Sequence, residues 1–295
     1  MSVSKEINHD INLDRVLEVL TRVAKEAGAI IKKRNGTTTF DNKKNSVDLV
    51  TEVDQQVEDF IKKELLEEFP DFEFFGEESF VPGSRVPLGP TFIVDPIDGT
   101  LNFIHEFPFS CTSLGFSINR KPMVGVVYNP HLDLLFTGIR GKGAFLNGDR
   151  LPSLKNKPLT LQSSILALEG GSDREGHNFE TKQSTYKSLL SKKGGMVHGY
   201  RAYGSAAMNL CYMATGAIDG YWENHNSWDC CAAWVLLEET GGIVIHGNNG
   251  KYGEPVDVDV NCYFYVRGAP EEDQKKFITS FQEHITGELQ GPEIH

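Results

Sequence analysis

Phe92-Ile93-Val94-Asp95-Pro96-Ile97-Asp98-Gly99-Thr100 runs an apolar segment into a turn that carries two acids. Residues 91–94 have the β-rich character of a buried strand. Pro96 disfavours helix at Asp95 and fixes its own φ, while Gly99 permits a backbone conformation or a close approach that a side chain would obstruct. Such a turn can aim Asp95 and Asp98, three residues apart, at one point. If a short helix follows over residues 100–105, its free backbone N–H groups favour an anion beside that point.

Outward from this corner, two more carboxylate-bearing element ends occur. Phe72-Glu73-Phe74-Phe75-Gly76-Glu77-Glu78-Ser79 closes an apolar strand with paired acids, and Trp228-Asp229-Cys230-Cys231-Ala232-Ala233-Trp234 opens a helix with one. Taken alone, Glu77 and Glu78 read as surface charge and Asp229 as a plain helix cap; together they suggest a hard-cation site. The surrounding pattern is mixed. Apolar spacing predicts a helix over residues 13–33, stopped by Asn35-Gly36, and a second from Thr51 to Phe69-Pro70, with residues 48–50 leading in. Strands follow at 72–75, 91–94, 112–118 and 124–128, then hairpins at 134–139 and 144–146. After Pro158 the order alternates: a strand at 165–168, helices at 180–191 and 205–215, a strand at 218–222, a helix at 229–240 stopped by Gly241-Gly242, a strand at 243–246 and a terminal helix at 271–285. This alternation indicates α/β layering.

The 295 residues are 39% hydrophobic and 24% charged, an ordinary globular composition. With 29 basic and 41 acidic residues the net charge is -12, which argues against a nucleic-acid partner. A small phosphate remains accessible if divalent cations stand between it and the carboxylates. The five cysteines, Cys111, Cys211, Cys230, Cys231 and Cys262, form no C-x-x-C pair and read as buried reduced thiols. No secretion signal or ~20-residue apolar run is present, so the expectation is a cytoplasmic protein with no membrane partner.

The ordered blocks resemble the inositol monophosphatase family along nearly the whole chain. They are Asp48-Leu49-Val50-Thr51-Glu52-Val53-Asp54, Gly76-Glu77-Glu78-Ser79, Asp95 through His105, Gly204-Ser205-Ala206-Ala207, and Trp228-Asp229 through Gly241-Gly242. The resemblance implies an α/β (α+β) fold, a layered α-β-α-β-α sandwich of the inositol monophosphatase / fructose-1,6-bisphosphatase type. One domain over residues 1–295 is expected, with an N-terminal lobe to about residue 150 carrying most metal ligands and a C-terminal α/β lobe after it. Leu101-Asn102-Phe103-Ile104-His105 is similar to inositol monophosphatases, where nucleotide bisphosphatases usually have Lys-Gly-Phe and fructose bisphosphatases resemble Asp-Gly-Ser-Ser-Asn.

By resemblance, Glu77, Asp95 and the Ile97 carbonyl hold one magnesium ion, and Asp95, Asp98 and Asp229 a second, with two or three ions per active site. Glu77 and Thr100, the latter held by Asp54, orient a metal-activated water for direct in-line attack on an inositol monophosphate. Phosphate oxygens meet both metals and the Gly99 and Thr100 N–H groups, polyol contacts fall to Asp98, Gly204, Ser205, Ala206 and Glu223, and Glu77 and Asp229 also count among the substrate-binding residues. Glu223 is reached across a one-residue deletion within Glu223-Asn224-His225-Asn226-Ser227. His105 and His225 receive no role. The family also implies lithium sensitivity and a homodimer. Other readings stay open: a 3',5'-bisphosphate nucleotidase, a sugar phosphatase, or a catalytically silent metal- or partner-binding protein.

Overall fold

The computed structural model describes residues 11–34, 40–42 and 49–291. Helix α1 spans Leu13–Arg34 and buries Val16, Leu20, Val23, Ala24, Ala27 and Ile31 of the stripe its sequence spacing predicts, together with Val19, while Leu17 and Ile30 of that stripe are partly buried. Asn35, Gly36 and Asp48 lie outside the described residues. Strands β1 (Phe40–Asn42) and β2 (Leu49–Thr51) pair antiparallel ahead of α2 (Glu52–Glu68). A seven-stranded sheet follows in the order β3 (Glu73–Gly76), β4 (Thr91–Asp98), β5 (Cys111–Ile118), β6 (Lys121–Asn129), β7 (Leu134–Ile139), β8 (Gly143–Leu146) and β9 (Asp149–Arg150). Only β3 and β4 run parallel; the other pairs are antiparallel. The short helix α3, Thr100–Ile104, sits between β4 and β5.

The rest of the chain forms a five-stranded sheet, ordered β11 (Gly199–Arg201), β10 (Ile165–Ala167), β12 (Gly220–Glu223), β14 (Tyr263–Val266) and β13 (Ile243–His246). Its helices are α4 (Gly176–Leu190), α5 (Ala206–Thr215), α6 (Cys231–Glu239) and α7 (Glu271–Gln282). Sequence periodicity overlooks β11 and β14. Tyr263, Phe264, Tyr265 and Val266 are all buried because β14 lies inside the sheet and is covered on both faces, which removes the polar alternation that marks a half-exposed strand. Helix α6 begins two residues later than expected, after a turn through Asp229.

Side-chain alternation along the strands divides the core into layers. Phe92, Val94, Leu114, Phe116, Val124 and Val126 pack with α1 and α2, whereas Ile93 and Val127 face α5 and α6 on the other side of the same sheet. Tyr263 and Tyr265 share that middle layer, while Phe264 and Val266 point outward to Phe277 and Phe281 of α7. The result is the expected α-β-α-β-α sandwich. Helix α6 lies close on the large sheet: a Cβ at Gly125 would come within 1.9 Å of the Ala232 carbonyl oxygen. Glycine on the strand and alanine on the helix are what permit this spacing, and it brings the residues just before α6 to the end of β4. Among the described residues no helix is long and apolar enough to cross a membrane.

Candidate active site

Parallel pairing of β3 with β4 sets Gly76 opposite Val94, and the Glu77 N–H donates to the Val94 carbonyl at 3.1 Å. Glu77 is therefore pinned beside Asp95. Strand β4 does not end at Val94; it continues to Asp98 with its register to β5 broken between Asp95 and Asp98. Pro96, lacking an N–H, occupies this irregularity, which re-aims the two acids. Gly99 then adopts φ 84°, and a Cβ there would meet the Gly204 and Phe109 carbonyl oxygens at 3.0 Å. Both demands on Gly99, conformation and space, are realised.

Asp229 arrives from the opposite layer. Ser113, the register partner of Asp95, donates its hydroxyl to the Trp228 carbonyl at 3.2 Å. Asp229 accepts the Asn226 N–H at 2.7 Å instead of capping α6. Carboxylate oxygens of Asp95, Asp98 and Asp229 consequently lie within 4.8 Å of one another. They line a cavity of about 390 Å³ together with Glu77.

Asp95 is 2% exposed, and its Oδ1 has no hydrogen-bond partner. Burial raises its pKa well above the ordinary carboxylate range, and the charges of Glu77, Asp98 and Asp229 raise it further. Burial likewise lifts Asp98 to about 6, against hydrogen bonds from Ser205, Ala207, Ala206 and Cys111. An unpartnered buried oxygen among converging carboxylates fits a hard divalent cation, and the all-oxygen donor set disfavours zinc. The sequence profile of the inositol monophosphatase family matches residues 12–286.

The chain belongs to the inositol monophosphatase family. It is 51% identical over 271 residues to inositol monophosphatase 2 of Saccharomyces cerevisiae, covering 89% of this chain and 92% of the relative. With inositol monophosphatase 1 of the same yeast it shares 45% identity over 294 residues, covering 95% and 98%. The structure of an inositol monophosphatase from Anabaena superposes with a TM-score of 0.76 at 28% identity, covering 93% of this chain and 97% of that one. The protein is thus a phosphomonoesterase of a metal-dependent family.

The remaining family-matched residues gather at the same cavity. Thr100 Oγ1 lies 3.3 Å from Asp54 Oδ1 and 3.1 Å from the Ile97 carbonyl oxygen. Asp54 is buried, on the inner face of α2. Gly204, Ser205, Ala206 and Glu223 all line the cavity. Ser205 caps α5 by accepting the Met208 N–H, while its hydroxyl donates to Asp98. His105 is exposed. His225 is buried against Tyr263 and Tyr265, and burial lowers its pKa to about 4, so it is a neutral aromatic wall.

Two supporting acids escape a reading by motif. Glu58, on the buried face of α2, accepts the Glu78 N–H at 2.7 Å and so anchors the turn that carries Glu77. An acid four residues beyond Asp54 on an apolar stripe was the available signal. Glu169 accepts the Tyr203 N–H at 2.8 Å, the Gly204 N–H at 3.1 Å and the Asn209 amide at 2.8 Å, fixing the turn before Ser205. Nothing local in the sequence distinguishes Glu169 from a loop acid.

The carboxylate cluster predicts an inverted pH dependence of stability for the metal-free protein. The unfolded chain releases its aspartate protons near pH 4, whereas folded Asp98 keeps its proton to about pH 6, and burial with the charges of Glu77, Asp98 and Asp229 raises Asp95 well above the ordinary range. The folded state binds more protons in this window, so stability falls as pH rises through it. The melting temperature of chelated protein is expected to drop between about pH 4.5 and 6.5, and magnesium at pH 7.5 to restore it. Calorimetry showing a rise over that interval would contradict the arrangement.

Proposed function

We propose that the protein is a cytoplasmic, magnesium-dependent phosphatase that hydrolyses inositol monophosphates to inositol and phosphate, freeing myo-inositol by direct attack of water. The observation that carries this reading is the convergence of Asp95, Asp98 and Asp229 beside Glu77, at one end of a cavity whose other wall holds Glu223. Two or three magnesium ions bound by Glu77, Asp95, Asp98, Asp229 and the Ile97 carbonyl would lower the pKa of water and neutralise the phosphate and departing oxygen.

The chain's own groups do the rest. Thr100 donates to Asp54, leaving its lone pairs to accept one hydrogen of the attacking water, while Glu77 accepts the other and serves as general base. First-turn N–H groups at Gly99 and Thr100, which have no intrahelical acceptor, receive phosphate oxygens. Asp98, Gly204, Ser205, Ala206 and Glu223 form the polyol side. No covalent phosphoenzyme arises.

The reading extends to one domain over residues 1–295, with lobes meeting near residue 150; the middle core layer, shared by both sheets, supports it. It extends also to a homodimer, supported by exposed Leu101 and Phe107. Five free, buried cysteines suit a reducing compartment.

Phosphate release from myo-inositol 1-phosphate, a nucleotide 3',5'-bisphosphate and fructose 1,6-bisphosphate, with and without magnesium, tests the function. The inositol phosphate is expected to turn over fastest, only with magnesium, and with inhibition by lithium. Preference for the nucleotide, or full activity in excess chelator, would overturn it. Glu223→Gln is expected to raise KM for inositol 1-phosphate about 10-fold, the scale of one charge-assisted hydrogen bond, and to spare glycerol 2-phosphate. Equal losses on both substrates would remove Glu223 from the polyol side.

A further inference from the structure

Helix α4 turns Thr181, Lys182, Thr185 and Leu189 inward, a helical stripe that contains a lysine. Lys182 is 3% exposed, and its ammonium forms an ion pair with Oε1 of Glu223, the last residue of β12. Glu223 is 4% exposed and lines the cavity. Its Oε1 also accepts the Asn224 N–H at 2.9 Å, whereas its Oε2 has no partner. The loop between β10 and α4 passes close over the ammonium at Gly171, where a Cβ would stand 2.8 Å from Lys182 Nζ. The nearby acid Glu169 is already committed to Tyr203, Gly204 and Asn209.

A buried ion pair is a poor investment in stability, since an apolar pair of similar volume serves as well. Here one carboxylate oxygen is satisfied and the other is buried in the cavity wall without a partner, an arrangement suited to receiving a ligand's hydrogens. We propose that Lys182 is a positioning residue for substrate selection, fixing the rotamer and charge of Glu223 so that Oε2 accepts hydroxyl hydrogens of a polyol monophosphate. Burial raises the Glu223 pKa and Lys182 opposes that rise, which is consistent with the role. The inference rests on the polyol-facing reading of Glu223.

The test is a double-mutant cycle of Lys182→Met and Glu223→Gln, with Lys182→Arg as the conservative variant, measured on inositol 1-phosphate and glycerol 2-phosphate. Lys182→Met is expected to raise KM for inositol 1-phosphate at least about 10-fold, from loss of one well-aligned charge-assisted contact. Its kcat, its KM for glycerol 2-phosphate and the magnesium concentration for half-activation should stay within about 2-fold. Lys182→Arg should recover most of the lost affinity. In the Glu223→Gln background, Lys182→Met should add less than about 2-fold, because the carboxylate it serves is gone.

Equal losses on both substrates, or additive effects in the cycle, would show that Lys182 only supports the fold. If Glu223→Gln narrows discrimination and Lys182→Met does not, the positioning role fails while the polyol reading stands. If Glu223→Gln leaves discrimination unchanged, the polyol reading itself fails. Should the Lys182→Met protein not fold, because Glu223 is left buried and unpaired, the doubly substituted protein carries no such charge. The outcome is then decided by comparing it with Glu223→Gln, and by Lys182→Arg against the parent.

Discussion

Replacing Glu77 with glutamine lowers kcat by about 10²-fold or more, the scale for removing a positioned general base. The substitution is nearly isosteric and takes a charge away from a cavity lined by six carboxylates, Glu77, Asp95, Asp98, Glu169, Glu223 and Asp229. Folding should therefore survive, with the chelated protein melting no lower than the parent. Glu77 is held from two sides, by its own N–H on Val94 and by Glu58 under the neighbouring Glu78, so the amide should keep the position of the carboxylate. Steady-state kinetics at saturating magnesium checks this. A near-normal kcat would leave water activation to some other group, and a collapsed melting transition would make Glu77 a fold residue.

Legibility of the site in the sequence follows from where its constraints are local. The turn at Asp95 to Gly99 encodes its geometry in its own residues: a proline without an N–H and a glycine at φ 84°. Its partners are less local. That Asp229 would meet Asp95 depends on Ser113, opposite Asp95 on β5, bonding Trp228, and on α6 nesting at Ala232 against Gly125, both contacts between residues more than 100 positions apart in sequence. Only the resemblance to a family joined those ends beforehand. Period-2 and period-3.6 patterns located most strands and helices but failed at β14, whose burial on both faces erases alternation. Lys182 was invisible for a related reason: a lysine in a polar helix reads as surface until the pairing with Glu223 shows which face turns inward.

Asp95→Asn is expected to separate function from stability most sharply. Asp95 is buried in the cluster, its pKa pushed up by burial and then by Glu77, Asp98 and Asp229 together. Its Oδ1 finds no partner within the protein, so among these groups the carboxylate is the one whose charge the fold alone does not compensate. If it bridges two cations, losing its charge should lower kcat by about 10³-fold or more, several kcal/mol of charge stabilisation, and no magnesium concentration should rescue it. The metal-free variant should nevertheless be more stable than the parent at pH 7.5, by a few degrees in melting temperature at roughly 2 to 4 °C per kcal/mol for a chain of this size. The gain should shrink at pH 5.5, because the raised pKa of the parent's Asp95 favours its neutral form as the pH falls, so the variant's stability should vary less with pH. Magnesium should raise its melting temperature less than it raises the parent's. A purely structural Asp95 would give the opposite pattern, lower melting at every pH with the magnesium response intact, and calorimetry on chelated and magnesium-loaded protein at the two pH values distinguishes the two.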